Sequence, residues 1–316
     1  MADIRVLSWN INGVKAKLKK QKAALLDIFD QYDILLLQET KIGKKQGKPD
    51  KKGNADQDWN TINEAFLEKY TLVELEDQTY RGRSVSPQKT VYMTYFSSSS
   101  EGVAILINKP HTLLKGYSEG GEYAWVHVQI GDQKYTFVSV YYRGRGPNLI
   151  GHLMLKIIYS FLTDGSDAFK HRPVIGGDFN TTLDPRLDAN NKNSKHAPLR
   201  KTLNDFMSIM KLSDVWRKKH EGARIYTYVD NKEIKNKPEN EPNGPESESE
   251  SEPENEHKNE PNETESEPIM SRLDYVFMLE KDVNDVNSCE ILGEITLSDH
   301  SPVSLTLNYP NTNDAK

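Results

Sequence analysis

Two short strings constrain this chain more than any other feature: Gly176-Gly177-Asp178-Phe179-Asn180 and Ser298-Asp299-His300-Ser301-Pro302. Each follows an apolar run that reads as a buried strand, Pro173-Val174-Ile175 before the first and Ile291 to Leu297 before the second. Acidic, amide and imidazole groups are therefore expected at strand ends, where open α/β sheets carry their chemistry. Asp178, Asn180, Asp299 and His300 come from distant segments and can meet in one pocket. Such a set can hold a hard cation, position a water and stabilise charge on a phosphate.

The rest of the chain supplies the sheets. Strands are expected at Ile4 to Trp9, Asp33 to Glu39, 70–76, 91–96, 102–108, Tyr226 to Val229 and Leu273 to Met278, with two more in 291–308. Tyr123 to Ile130 and Lys134 to Tyr142 read as a hairpin around Gly131-Asp132. Amphipathic or apolar patterning predicts helices over Lys17 to Phe29, 59–70, Leu149 to Leu162 and 198–210. Many strands with few helices predict an α/β (α+β) sandwich of two packed sheets. One domain over 1–310 with a tail at 311–316 is expected.

Residues 235–268 are different: Glu, Ser, Pro and Asn without an aliphatic side chain. They cannot bury a core, so a disordered insertion is expected between two strands of the body. Pro238 to Pro268 hold twelve Glu and one Lys, so the net charge of −6 leaves +5 on everything else. That basic body suits a polyanion partner. The single cysteine, Cys289, excludes an intramolecular disulfide. No secretory signal and no membrane-spanning run are apparent, so an intracellular protein, nuclear or cytoplasmic, is expected.

Six strand ends bear polar groups: Asn10, Glu39, Tyr141, Asp178 with Asn180, Asp274, and Asp299 with His300. Singly, each has an ordinary reading. Glu39 can be a surface carboxylate, Asn10 a turn former, Asp274 the partner of Arg272, and His300 a satisfied histidine. Chance does not easily produce the ordered set.

That set resembles the endonuclease/exonuclease/phosphatase superfamily, which includes exonuclease III and the apurinic endonucleases. The matching strings are Leu7-Ser8-Trp9-Asn10-Ile11-Asn12-Gly13, Leu37-Gln38-Glu39-Thr40-Lys41, Gly102-Val103-Ala104-Ile105-Leu106, Val138-Ser139-Val140-Tyr141, Gly177-Asp178-Phe179-Asn180, Arg272-Leu273-Asp274-Tyr275 and Leu297-Ser298-Asp299-His300-Ser301-Pro302. The resemblance implies a four-layered α/β sandwich of the DNase I type, two mixed β-sheets flanked by helices. It implies Glu39 as a metal ligand with Asn10 and Asp299 around it, for magnesium or manganese in its place. Asp178 orients and deprotonates the attacking water, and Asn180 holds water or phosphate. His300 donates to a phosphoryl oxygen with Asp274 fixing its tautomer, and Tyr141 addresses the phosphate or the leaving oxygen. Arg143, Arg145, Thr227 and Lys41 are expected to contact substrate.

Within the superfamily the chain is most similar to the endonuclease domain of LINE-type (non-LTR) retrotransposon polyproteins. The strings behind this are Leu212-Ser213-Asp214-Val215-Trp216-Arg217, Tyr226-Thr227-Tyr228 and the closing segment. The resemblance implies DNA nicking to a 3′-hydroxyl and 5′-phosphate, a reverse transcriptase domain as partner, and a monomer when isolated. An abasic-site endonuclease or 3′-exonuclease is the alternative, and an inactive nucleic-acid-binding module the second. Apurinic enzymes carry a Trp shortly before the Arg-Leu-Asp-Tyr string; here no Trp or Phe occurs between 229 and 270. Where the retrotransposon group has a DNA-probing hairpin, this chain has the acidic run, expected either to repel phosphates within a Debye length of about 8–10 Å or to be a tolerated insertion.

Overall fold

The computed structural model describes residues 3–42, 69–75, 84–86, 89–93, 102–119, 121–143, 154, 171–190, 197–230 and 268–308. Two seven-stranded sheets stack face to face. The first contains β1 (Ile4–Asn10), β2 (Ile34–Gln38), β3 (Thr71–Glu74), β5 (Thr90–Met93), β6 (Ala104–Ile107), β15 (Val286–Ile291) and β16 (Val303–Leu307), in the order β15-β16-β1-β2-β6-β5-β3. The second contains β4 (Ser84–Ser86), β7 (His111–Glu119), β8 (Tyr123–Ile130), β9 (Gln133–Tyr141), β10 (Arg172–Asp178), β11 (Leu212–Asp214) and β14 (Asp274–Leu279), in the order β11-β14-β10-β9-β8-β7-β4. Both are mixed: β1 runs parallel to β2 and antiparallel to β16, while β10 runs parallel to β9 and antiparallel to β14.

Strand alternation builds the layers. Ile34 and Leu36 of β2 face the second sheet, in one core with Phe137, Val174 and Val276. Leu35 and Leu37 face the other way, in a core with Leu18, Leu25 and Phe29 of the helix α1 (Val14–Asp30). On the far side, Val138, Val140, Ile175 and Phe277 meet Leu199, Leu203 and Phe206 of α2 (Ala197–Met210). Helix, sheet, sheet, helix is the expected four-layered sandwich. Covering both faces of a sheet explains why β2 is a continuous apolar run rather than an alternating one.

The glycine pair of the first string has a packing reason. A Cβ on Gly177 would lie 2.0 Å from the carbonyl oxygen of Val140, and one on Gly176 would lie 2.7 Å from Leu36 Cδ1 and 2.8 Å from Ser8 Oγ. Gly177 admits the neighbouring strand, and Gly176 lets the two sheets close together next to Asp178. Ser8, Gln38 and Ser139 fill that narrow gap: Gln38 Nε2 donates to Ser139 Oγ at 3.0 Å.

Several expectations change. Ile291 to Leu297 is not a strand: β15 ends at Ile291, and a Gly293-Glu294 turn follows. Leu292, Ile295 and Leu297 pack against the α1-side core from a loop. Asp299 and His300 therefore precede a strand, β16, rather than end one. The helix expected from Lys17 begins at Val14, with a non-helical Gln21 inside it. β4, β7, β11, the 269–271 strand and most of β15 have weak local signals and are held by their pairings. The helices expected at 59–70 and over most of 149–162, and the tail 311–316, lie outside the described residues. So does nearly all of the acidic insertion, residues 231–267. The strands bracketing it, β12 (Tyr228–Asp230) and β13 (Ile269–Ser271), pair antiparallel.

Candidate active site

Strand register gathers the expected side chains. Asp178 stands opposite Tyr141 on β9 and opposite Asp274 on β14, so three functional residues form one row across three strands. In the first sheet Asn10 stands opposite Gln38, and the next residue is Glu39. The fully buried Asn10 joins the sheets: its Nδ2 donates to Asp178 Oδ2 at 2.9 Å and to Glu39 Oε1 at 3.0 Å. Asn12, Glu39, Lys41 and Asn180 all take positive φ, between 46° and 55°. Non-glycine residues adopt that region at a cost, and their concentration here marks a constrained site.

His300 closes the site from the loop before β16. Its Nδ1 lies 2.8 Å from Asp274 Oδ2 and its Nε2 lies 3.9 Å from Asp178 Oδ2. Since a carboxylate accepts, Nδ1 carries the proton given to Asp274. The loop is fastened on three sides: Trp9 Nε1 donates to the His300 carbonyl at 3.0 Å, Ser298 Oγ donates to the Asn10 carbonyl at 2.8 Å, and the Ser301 amide donates to the Thr227 carbonyl at 2.7 Å. The Tyr228 ring packs on the imidazole with centroids 4.9 Å apart. Asp274 thus pairs with His300, not with Arg272. Arg272, 1% exposed, is held instead by Asp188 at 2.9 Å and Asp214 at 2.7 Å, between Trp216 and Tyr275.

These contacts shift the acid–base groups. Burial, followed by the charge of Asp274, pushes Asp178 up to about 7, although His300 and the Asn180 amide work the other way. For His300, burial favours the neutral ring, but Asp274 and then Asp178 outweigh it and raise it to about 10. Tyr141 is raised by burial and by its contact with Glu39. Asp299 is lowered: burial opposes this, and the Asn12 hydrogen bond and His300 overcome it.

Asn180 secures the base. Its amide N–H donates to Asp178 Oδ1 at 2.8 Å, and its Nδ2 reaches the Tyr142 carbonyl at 2.6 Å and Asp178 Oδ2 at 3.2 Å. With both amide hydrogens engaged, Oδ1 is the atom that can address a water.

Among the described residues, three metal-capable side chains with ligating atoms within 4.8 Å of one another are Asp178, Asp274 and His300. That trio suits a proton-handling pair better than magnesium, because Nδ1 is committed to Asp274 and the imidazole is held protonated. The expected ligands fit a hard cation better. Glu39 Oε2 already accepts a positive charge, the Lys41 ammonium at 2.9 Å. Asp299 Oδ1 is tied to the same place through Asn12, whose Nδ2 donates to it at 2.9 Å and whose Oδ1 accepts from Lys41. Asn12 was not singled out by its sequence context, though the Asn10-Ile11-Asn12-Gly13 string contained it.

The expected substrate contacts divide. Thr227 has a structural role. It is 1% exposed, and its hydroxyl accepts the amides of Leu273 at 2.9 Å and Asp274 at 3.1 Å, so it positions Asp274. Lys41 is engaged with Glu39 and Asn12. Arg143 is half-buried just beyond Tyr141, and Arg145 lies outside the described residues.

Comparison with known proteins agrees with this fold. The model of the endonuclease/exonuclease/phosphatase family matches residues 7–300. No curated protein matched significantly. Among solved structures, an AP endonuclease from Leishmania major superposes with a TM-score of 0.63 at 14% identity, over 98% of this chain and 89% of that one. The catalytic domain of Xenopus laevis APE2 gives 0.59 at 18% identity, over 98% and 94%. The endonuclease domain of TRAS1, a telomere-specific non-LTR retrotransposon, gives 0.53 at 13% identity, over 98% and 100%. At these identities the likeness establishes the fold.

Proposed function

The chain belongs to the endonuclease/exonuclease/phosphatase family, and on that premise we propose that it is a magnesium-dependent DNA endonuclease. It would hydrolyse one phosphodiester to a 3′-hydroxyl and a 5′-phosphate, as in target-site nicking for retrotransposition. The observation that carries the reading is the Asp274–His300 pair facing Asp178, which Asn10 ties to Glu39.

A phosphodiester resists attack because it is already anionic, so the site must supply a base and compensating positive charge. Asp178, poised at about 7, takes the proton of the attacking water near neutral pH. Asn180 and Asn10 hold its two oxygens. His300, kept protonated by Asp274, donates from Nε2 to a non-bridging oxygen. Tyr141, held neutral, donates to the phosphate or the leaving oxygen. Glu39, with Asn10 and Asp299, would hold magnesium, which supplies positive charge to the phosphate when bound. Arg143 and Arg145 are assigned to the DNA backbone.

The likeness to an AP endonuclease from Leishmania major supports an abasic-site endonuclease or 3′-exonuclease as a second reading. One assay separates them: supercoiled plasmid against an abasic duplex, with magnesium or chelator, for wild type and His300→Ala. Plasmid nicking without abasic preference supports the first reading. A strong abasic preference supports the second. No magnesium-dependent cleavage refutes both and leaves a binding module. A reverse transcriptase domain in the same polyprotein is the proposed partner. Among the described residues no helix is long and apolar enough to cross a membrane.

A further inference from the structure

Lys41 is tied directly to one of the residues assigned to hold the cation, Glu39, and through Asn12 to another, Asp299. Glu39 and Lys41 both take the left-handed backbone conformation, with φ of 48° and 55°, which turns the two side chains toward each other across Thr40. The ammonium then lies 2.9 Å from Glu39 Oε2 and hydrogen-bonds Asn12 Oδ1. The other Glu39 oxygen accepts from Asn10. Asn12 is itself fixed by Asp299 and by its own amide, which donates to Asn10 Oδ1 at 3.1 Å. A univalent cation is thus held by Glu39, one of the residues assigned to the divalent cation, and by Asn12, which is itself bonded to Asp299, a second of them.

We propose that Lys41 is an internal counter-ion exchanged for the divalent cation: its ammonium neutralises Glu39 in the cation-free protein and must leave when the cation binds. This rests on the reading of Glu39 as a metal ligand. Both charges cannot share Glu39 cheaply, because a +1 and a +2 charge about 4 Å apart repel strongly even near a protein surface. Lys17, close enough to sense both Lys41 and Asp299, adds to that repulsion. The exchange gives the protein a metal site that is charge-balanced without metal, at the expense of metal affinity.

The test is titration of the full chain, without DNA, with Mn2+, followed by the EPR signal of the free ion. Lys41→Met removes the ammonium and keeps the length of the side chain. It is expected to bind Mn2+ about five-fold more tightly than wild type, the factor set by losing one partly exposed, hydrogen-bonded ion pair. Lys41→Arg keeps the charge and is expected to match wild type. Glu39→Gln is expected to remove binding in either background. Unchanged or weaker affinity in Lys41→Met, with Glu39→Gln still abolishing binding, overturns the exchange alone. Binding that survives Glu39→Gln overturns both the exchange and the assignment of Glu39. Melting curves with chelator confirm that each variant is folded.

Discussion

Asp274→Asn isolates the source of the positive charge on His300. The imidazole is raised from 6.5 to about 10, with Asp274 the largest raising cause. That shift corresponds to roughly 5 kcal/mol in favour of the imidazolium. Asparagine preserves shape but removes the negative charge, leaving burial to favour the neutral ring and Asp178 and, more weakly, Asp299 to oppose it. The wild type should nick with a bell-shaped pH dependence. The acid limb near 7 reports ionisation of Asp178, and the alkaline limb near 10 reports loss of the His300 proton. Because these groups interact, the limbs belong to the cluster rather than to single residues. In Asp274→Asn the alkaline limb should fall by two units or more. At pH 8.5 about three-quarters of the protein or more would then carry neutral His300, with a loss of about four-fold or more in the nicking rate. Single-turnover nicking of supercoiled plasmid from pH 5.5 to 10, with circular dichroism as a fold control, measures both. An alkaline limb that stays where it is in the variant would refute the assignment of His300 as a charged donor maintained by Asp274.

Other substitutions test the scaffold. Gly177→Ala should destabilise by about 3 kcal/mol or more, because the added Cβ meets the Val140 carbonyl at 2.0 Å; a midpoint in urea within error of wild type would contradict the close-packing account. Thr227→Val leaves two buried amides without an acceptor and should cost about 2 kcal/mol while lowering kcat more than KM; Thr227→Ser should restore both. Arg272→Met takes the ion-pair partner from buried Asp214, while Arg217 still holds Asp188 at 2.6 Å, and should cost about 3 kcal/mol, read by denaturant unfolding.

Local chemistry made much of the site readable. Asn10, Glu39, Tyr141, Asp178 and Asp274 each border an apolar run, and strand period together with pairing makes a strand end a predictable place. The pairings themselves were not readable. Asn10 meets Asp178 across 168 residues and His300 meets Asp274 across 26, separations that carry no local signal. The bonds from the Leu273 and Asp274 amides to Thr227 were unreadable for the same reason, since its hydroxyl looks identical in sequence whether it faces a phosphate or two backbone amides. The 291–297 run was misread because its apolar residues do pack on a core, but from a loop that a glycine turn permits.

By itself, then, the sequence determined the layers and the chemical types available: continuous apolar runs demand sheets covered on both faces, and the polar residues bordering them have only the sheet ends to occupy. Tertiary structure alone decided which groups act together. The register of β9, β10 and β14 aligns Tyr141, Asp178 and Asp274, and Gly176 brings the sheets near enough for Asn10 to reach Asp178. Proton affinity depends on distance and burial, so a base at about 7 and an imidazolium stable to about 10 exist only once the two sheets are stacked.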